Sequence, residues 1–488
     1  MSKVAINCLT TGIPGLDSVL AGGLPEFSFN VIAGPPGSGK TTLAHQIMFS
    51  MAKRHGPALY FTVLGEPPLK MLRYQQQFDF FDEQQLGNSI HFINLAEEIF
   101  AGDFKRVLQC IVAEVQTHHP GLLFIDSFRS ITLAGEAEHD SYSDLQRFMQ
   151  QLGQLLTSWQ VTSFMIGEYL DEGGGNPMFA VADGLIWLRQ SVVRDSMVRK
   201  LEIKKMRGQP ILPGLHTYRI STGQGIEVFA PSDSVMSPDE QSSTPPEKTR
   251  LGMGIEALDE MLGGGLPHGY SLLVVGPSGS GKTILATAFL AEGVARGETG
   301  VIANFEHNPF RSRNSLLAEL INSGRIGVLD SRAPDLSIDE LALKLVDEVR
   351  RRKASRVVID SLSGFELSLA PTFRTDFRES LARLIRTLSG IGVTVLLISE
   401  IEDNYTELRL SPYGTAFLAD AIIMQRYIEV DSRLLRMMAV VKVRGSKHSN
   451  QLRQYTIDDE GIHMGTPLID QEGLLGGQPS TSTGDDSA

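Results

Sequence analysis

The residues most able to do chemistry form one stretch that occurs twice. Gly34-Pro35-Pro36-Gly37-Ser38-Gly39-Lys40-Thr41 and Gly276-Pro277-Ser278-Gly279-Ser280-Gly281-Lys282-Thr283 both read G-x-x-x-x-G-K-[ST]. Glycines at these places let successive backbone N–H groups converge on phosphate oxygens without Cβ clashes, and a helix starting behind them adds the positive end of its dipole. Lys40 and Lys282 would reach the β and γ phosphates of ATP, and the hydroxyls of Thr41 and Thr283 would hold Mg2+. Ser38 and Ser280, with Thr42 and Ile284 just past each motif, complete the expected ATP-contacting loops.

Such a loop works only between a strand and a helix. Apolar runs at 29–33 and 272–275 supply the strands, and 42–48 and 284–290 read as the helices. Two further apolar runs, 121–127 and 356–361, are continuous and not alternating, the pattern of parallel strands buried on both faces. They carry Asp126 and Asp360, which would stand at the carboxyl edge of the sheet beside the loop and bind Mg2+ directly or through water. Runs of the same type at 161–168 and 393–400 end in Glu168 and Glu400. Near the end of each half comes K-x-R-G: Lys205 and Arg207, then Lys442 and Arg444, with Arg199 and Arg436 six positions before the lysines. On a strand, residues two apart share a face, so each pair would present two parallel cations, a match for a triphosphate.

The two halves are copies. Gly12 and Gly254, Asp17 and Asp259, and Lys40 and Lys282 are each 242 positions apart (254 − 12, 259 − 17, 282 − 40), a duplication of a whole domain. We expect a first domain at 1–229, a linker at 230–249 that is polar and proline-containing, a second domain at 250–465, and a disordered tail at 466–488. A chain of 488 residues with 42% hydrophobic and 21% charged residues is ordinary globular material for two cores. A net charge of -13 repels a polyanion, so no nucleic-acid partner is expected. Cys8 and Cys110, the only cysteines, cannot make a disulfide framework. With neither a signal-peptide pattern nor a long apolar span, the expected location is the cytoplasm, away from membranes.

The G-hydrophobe-x-x-L-D entries to the loops, Gly12 to Asp17 and Gly254 to Asp259, resemble those of RecA-like ATPases. Their tandem arrangement, with the later stations arriving in order and twice, resembles the KaiC family, the circadian-clock ATPases and their relatives outside the clock, over about residues 8–228 and 250–464. That resemblance implies two α/β domains, each a mostly parallel sheet flanked by helices, with ATP and Mg2+ as cofactors. The family places a pair of adjacent glutamates after the second strand to orient or deprotonate the attacking water. Here the pair is reduced to Gly65-Glu66 and Glu306-His307, which makes Glu66 and Glu306 the implied catalytic carboxylates and Glu306 also a metal-site residue. Glu168 and Glu400 are implied γ-phosphate sensors. The resemblance further implies that Lys205, Arg207, Lys442 and Arg444 reach the nucleotide of a neighbouring subunit in a homo-hexamer, with Arg199, Arg436, Ser446 and His448 among the nucleotide contacts. A protein signalling partner, unidentified, is expected. The clock member phosphorylates itself on adjacent serine and threonine; counting back from Asp420, those places hold Ala416 and Phe417, which have no hydroxyl, although Thr415 is adjacent and Ser411 close. Three readings follow: a ring ATPase controlling a partner, a Ser/Thr autokinase with a shifted acceptor, and a RecA-like DNA motor, which the acidity disfavours.

Overall fold

The computed structural model describes residues 6–62, 68–97, 104–127, 141–169, 177–193, 196–231, 249–305, 315–330, 337–374, 377–401, 415–430, 432–467, 471–472 and 480–481. The chain divides into two compact units, Met1–Pro231 and Ser232–Ala488.

The first unit is built on a nine-stranded sheet. In chain order its main elements are β1 (Phe29–Gly34), α1 (Lys40–His55), β2 (Ala58–Thr62), β3 (Ile90–Asn94), α2 (Phe104–His118), β4 (Leu122–Asp126), α3 (Ser141–Ser158), β5 (Thr162–Glu168), β6 (Gly184–Val193), β7 (Ser196–Met206), β8 (His216–Ser221) and β9 (Gly225–Phe229). Across the sheet they run β3-β2-β4-β5-β1-β6-β7-β8-β9. The strands from β3 to β6 are parallel, and β7 to β9 continue antiparallel. The apolar runs become central strands because side chains of alternate residues feed a core on each face. Tyr60, Phe124 and Phe164 pack with Leu43, Ile47 and Met51 of α1, whereas Leu59, Phe61, Leu123 and Ile125 pack with Val107, Ile111, Phe148 and Leu152 on the other face.

The second unit repeats the plan with β10 (Ser271–Gly276), α4 (Lys282–Ala295), β11 (Gly300–Asn304), β12 (Ile326–Asp330), α5 (Ile338–Arg352), β13 (Arg356–Asp360), α6 (Phe377–Gly390), β14 (Thr394–Glu400), β15 (Ala421–Val430), β16 (Arg433–Val443), β17 (Arg453–Asp458) and β18 (Gly461–Pro467). Their order, β12-β11-β13-β14-β10-β15-β16-β17-β18, is that of the first sheet element for element. Even the register irregularity recurs, between Leu185 and Ile186 in one unit and Ile422 and Ile423 in the other. The observed fold is therefore two tandem, mostly parallel α/β domains. The boundary expected at 465 falls inside β18, and within the segment read as a disordered tail Gln471–Glu472 pairs antiparallel with Ser480–Thr481. These two-residue strands lack the apolar pattern by which sequence reading finds a strand. No helix among the described residues is long and apolar enough to cross a membrane.

Two candidate nucleotide sites at the strand ends

Each phosphate loop leaves the carboxyl end of the middle strand and enters a helix at its lysine. Gly39 and Gly281 stand immediately before those helices in the left-handed region, at φ 88° and 95°. The left-handed conformation favours glycine at both places, and a Cβ there would lie 2.5 Å from Ile220 Cδ1 or 2.4 Å from Ile457 Cδ1, so that methyl would have to shift. With Lys40 and Lys282 first in their helices, the free N–H groups of the opening turns gather where an anion would bind.

Both lysines are buried, and both fold back onto the loop. Lys40 Nζ donates to Pro35 O at 2.8 Å; Lys282 Nζ donates to Gly276 O at 2.9 Å and Pro277 O at 2.7 Å. Burial lowers the pKa of Lys40 from its ordinary value, against the opposing pull of Glu168 and Asp126. An arriving phosphate would exchange these neutral carbonyl partners for anionic ones, a stronger kind of hydrogen bond.

The expected metal-site residues come together in both units. Thr41 Oγ1 donates to Asp126 Oδ2 at 2.9 Å, and Thr283 Oγ1 to Asp360 Oδ2 at 2.8 Å. The peptide bond after each aspartate is cis. Asp126 is pushed up in pKa by burial, with hydrogen bonds from Tyr60 and Thr41 and the charge of Lys40 acting against it. One hydroxyl and one carboxylate, all oxygen, suit Mg2+, which takes few protein ligands and completes its shell with phosphate and water. Among the described residues no group of three or more His, Cys, Asp or Glu side chains could hold a metal ion. Glu168 pairs in register with Gly34 and Glu400 with Gly276, so both candidate sensors stand at the loop, and Glu400 lies 3.8 Å from Lys282 Nζ. Glu66, Glu306 and His307 lie outside the described residues, as does Ser411.

The K-x-R pairs stand elsewhere. β7 and β16 run back toward the amino ends of the parallel strands, so Lys205 pairs with Leu185 and Lys442 with Ile422, near the starts of β6 and β15. Lys205 Nζ donates to Phe179 O and Ala180 O at 3.2 and 3.1 Å, and Arg207 reaches Asp183 Oδ1 at 3.3 Å. Lys442 Nζ donates to Ala419 O at 2.7 Å, and Arg444 reaches Phe417 O at 2.7 Å and Asp420 Oδ1 at 3.2 Å. Ser446 and His448 follow on this same far edge, Ser446 bonded to Arg250 and His448 Nδ1 3.5 Å from Ser446 O. In contrast, Arg199 and Arg436 sit opposite Gln190 and Tyr427, on the loop side of their own unit. A Cβ on Gly37 would lie 3.8 Å from Gln190 Oε1, and one on Gly279 would lie 3.1 Å from the Tyr427 hydroxyl. The arginine six positions before each lysine thus serves the loop edge, and the lysine itself the opposite edge.

Sequence reading missed two tyrosines that hold the loops. Tyr218 donates to Ser38 O at 2.5 Å and Tyr455 to Ser280 O at 2.6 Å, both from the strand beyond the K-x-R-G segment. Burial raises both phenol pKa values, so they remain donors. A signal existed: each tyrosine follows the K-x-R-G lysine by 13 positions (218 − 205, 455 − 442).

Strand, phosphate loop, helix, a Thr–Asp pair with a buried aspartate, and a strand order repeated in both sheets define a tandem P-loop ATPase of RecA-like architecture. The family model for the KaiC ATPase matches residues 9–233 and again 251–468. The chain belongs to the KaiC ATPase family and is a KaiC-like ATP-binding ATPase. Among similar proteins, the circadian clock protein KaiC3 of Synechocystis sp. is 28% identical, with 97% of this chain and 95% of that protein covered. The circadian clock oscillator protein KaiC of Picosynechococcus sp. is 26% identical, with 97% and 93% covered. That of Rippkaea orientalis is 25% identical over 99% of this chain and 93% of its own length.

Proposed function

We propose that this chain forms a homo-hexameric ring in the cytoplasm that binds Mg2+–ATP at both loops, hydrolyses it to ADP and phosphate, and uses its nucleotide state to control a protein partner in signalling. The ring rests on one observation above the others. Lys205, Arg207, Lys442 and Arg444 lie at the sheet edge away from their own loops, so a head-to-tail neighbour is what brings them to a triphosphate. The signalling role draws on the printed descriptions of the relatives as circadian clock proteins.

In the mechanism this supports, loop N–H groups and Lys40 or Lys282 orient the phosphates, while Thr41 with Asp126, and Thr283 with Asp360, hold Mg2+. The ion supplies charge neutralisation on the phosphate oxygens. Glu66 and Glu306 are the proposed acceptors for the proton of the attacking water, Glu306 also a proposed metal-site residue, and Glu168 and Glu400 sense the γ-phosphate. Cations from the neighbour stabilise the charge that develops at the transition state.

One observation keeps an autokinase as the second reading. The turn Thr415–Phe417, which spans the acceptor places, carries the Phe417 carbonyl that Arg444 holds, so it lies at the edge where a neighbour's nucleotide would come. The test is ATP turnover with separate phosphate-release and protein-labelling readouts, on wild type, Lys40→Ala and Lys282→Ala, with light scattering under nucleotide. Phosphate release from a hexamer without labelling supports the ATPase ring. Labelling that survives Lys40→Ala and vanishes with Lys282→Ala establishes the kinase instead, and a monomer with bound nucleotide removes the ring.

A further inference from the structure

One partner of the first metal-site aspartate comes from a side chain that the second domain replaces with an aliphatic one. In the first domain, Asp126 Oδ2 accepts not only from Thr41 but also from the Tyr60 hydroxyl at 2.7 Å. Tyr60 and Phe124 are register partners on β2 and β4, and Asp126, two residues after Phe124, shares their face of the sheet. The Tyr60 ring is fully buried, with ring centroids of His45, Phe92 and Phe124 at 4.8, 5.2 and 5.9 Å. In the second domain the equivalent positions, 242 further on, are Ile302 and Thr287 in place of Tyr60 and His45. Ile302 has no donor to offer Asp360.

We propose that Tyr60 is a positioning residue for Mg2+ in the first domain alone, acting through Asp126. Two donors reaching one carboxylate oxygen from different elements, α1 and β2, fix the rotation of that carboxylate. A phenol held on three sides by rings cannot swing away, so the direction of its O–H is set before any ligand arrives. The first site therefore presents a preset carboxylate to the cation through a hydroxyl that Ile302 cannot supply in the second. This inference rests on the Mg2+ reading of the Thr41–Asp126 pair.

The experiment uses the full chain carrying Lys282→Ala to silence the second loop, and follows a fluorescent ATP analogue bound at the first while Mg2+ is titrated from EDTA. Tyr60→Phe keeps the ring and removes only the hydroxyl. It should raise the Mg2+ concentration for half-saturation by roughly 10- to 100-fold, the usual effect of removing a hydrogen bond that orients a metal ligand, and leave analogue binding in EDTA unchanged. In an Asp126→Asn background, Tyr60→Phe should add nothing further, because its effect passes through the carboxylate. An unchanged half-saturation overturns the proposal, as does an equal loss with and without Mg2+, or an additive loss in the Asp126→Asn background. If the site with Tyr60 intact is indifferent to Mg2+, the Mg2+ reading of the Thr41–Asp126 pair falls as well, which separates the two failures.

Discussion

Truncation of Arg207, followed by mixing, tests the ring site directly. Arg207 N donates to Asp183 O, and Asp183 N donates to Phe29 O, which sets Arg207 level with the first residue of β1. Gly34, where the loop begins, is five residues on, roughly 17 Å at about 3.3 Å per residue, farther than an arginine side chain extends. Arg207→Ala therefore leaves the subunit's own loop untouched. If its guanidinium serves the neighbour, turnover at the first domain should fall about 10³-fold, about 4 kcal/mol of transition-state stabilisation. The assay is steady-state phosphate release in a Lys282→Ala background. Lys40→Ala should be equally inactive there, for want of a competent loop. Co-expressed with Arg207→Ala in equal amounts, it should restore activity, because random assembly places a competent loop against a competent arginine at about a quarter of the interfaces of a head-to-tail ring. Stable mixed rings with no recovery would refute the arrangement, since a site completed within one subunit is dead in both parents and in every mixture.

Three more outcomes follow from the packing. Tyr455→Phe removes the hydrogen bond to Ser280 O and should cost the second domain about 1 kcal/mol, read as a lower melting temperature with weaker nucleotide binding at the intact Lys282 site. Arg356 is 1% exposed and its Nε lies 2.7 Å from Glu298 Oε2; Glu298→Ala, which removes the carboxylate from that buried charge and leaves it the carbonyls of Gly252 and Phe289, should destabilise the second domain by about 3 kcal/mol in urea unfolding. Burial lowers the pKa of His45 to about 3, well under its unfolded value, so the unfolded chain binds the extra proton as pH falls below about 6.5. Stability of the first domain should drop by about 1.4 kcal/mol per pH unit through that window from this group alone, and His45→Thr, which copies the residue at 287, should flatten that limb in pH-dependent melting.

Much of this molecule was legible in its sequence because the deciding interactions are local or repeated. A glycine-rich turn between a strand and a helix is specified by the conformations that neighbouring residues allow, which is why spacing alone puts Lys40, Thr41, Lys282 and Thr283 at the start of a helix. Continuous apolar runs reveal strands buried on both faces, and they led to Asp126 and Asp360. The duplication turned each weak pattern into a pair. Other features exist only once the sheet is assembled. That Arg199 serves the loop edge and Lys205 the opposite one follows from β7 running antiparallel, a direction that strand periodicity does not encode. Tyr218 and Tyr455 reach their loops because β8 and β17 return across the sheet, 180 and 175 positions away along the chain. The bond from Tyr60 to Asp126 depends on two parallel strands meeting in a register fixed by packing, not by either segment's own pattern. Sequence determined which groups could do the chemistry; tertiary structure decided which of them share an edge, because contacts between distant segments are set by strand order and direction.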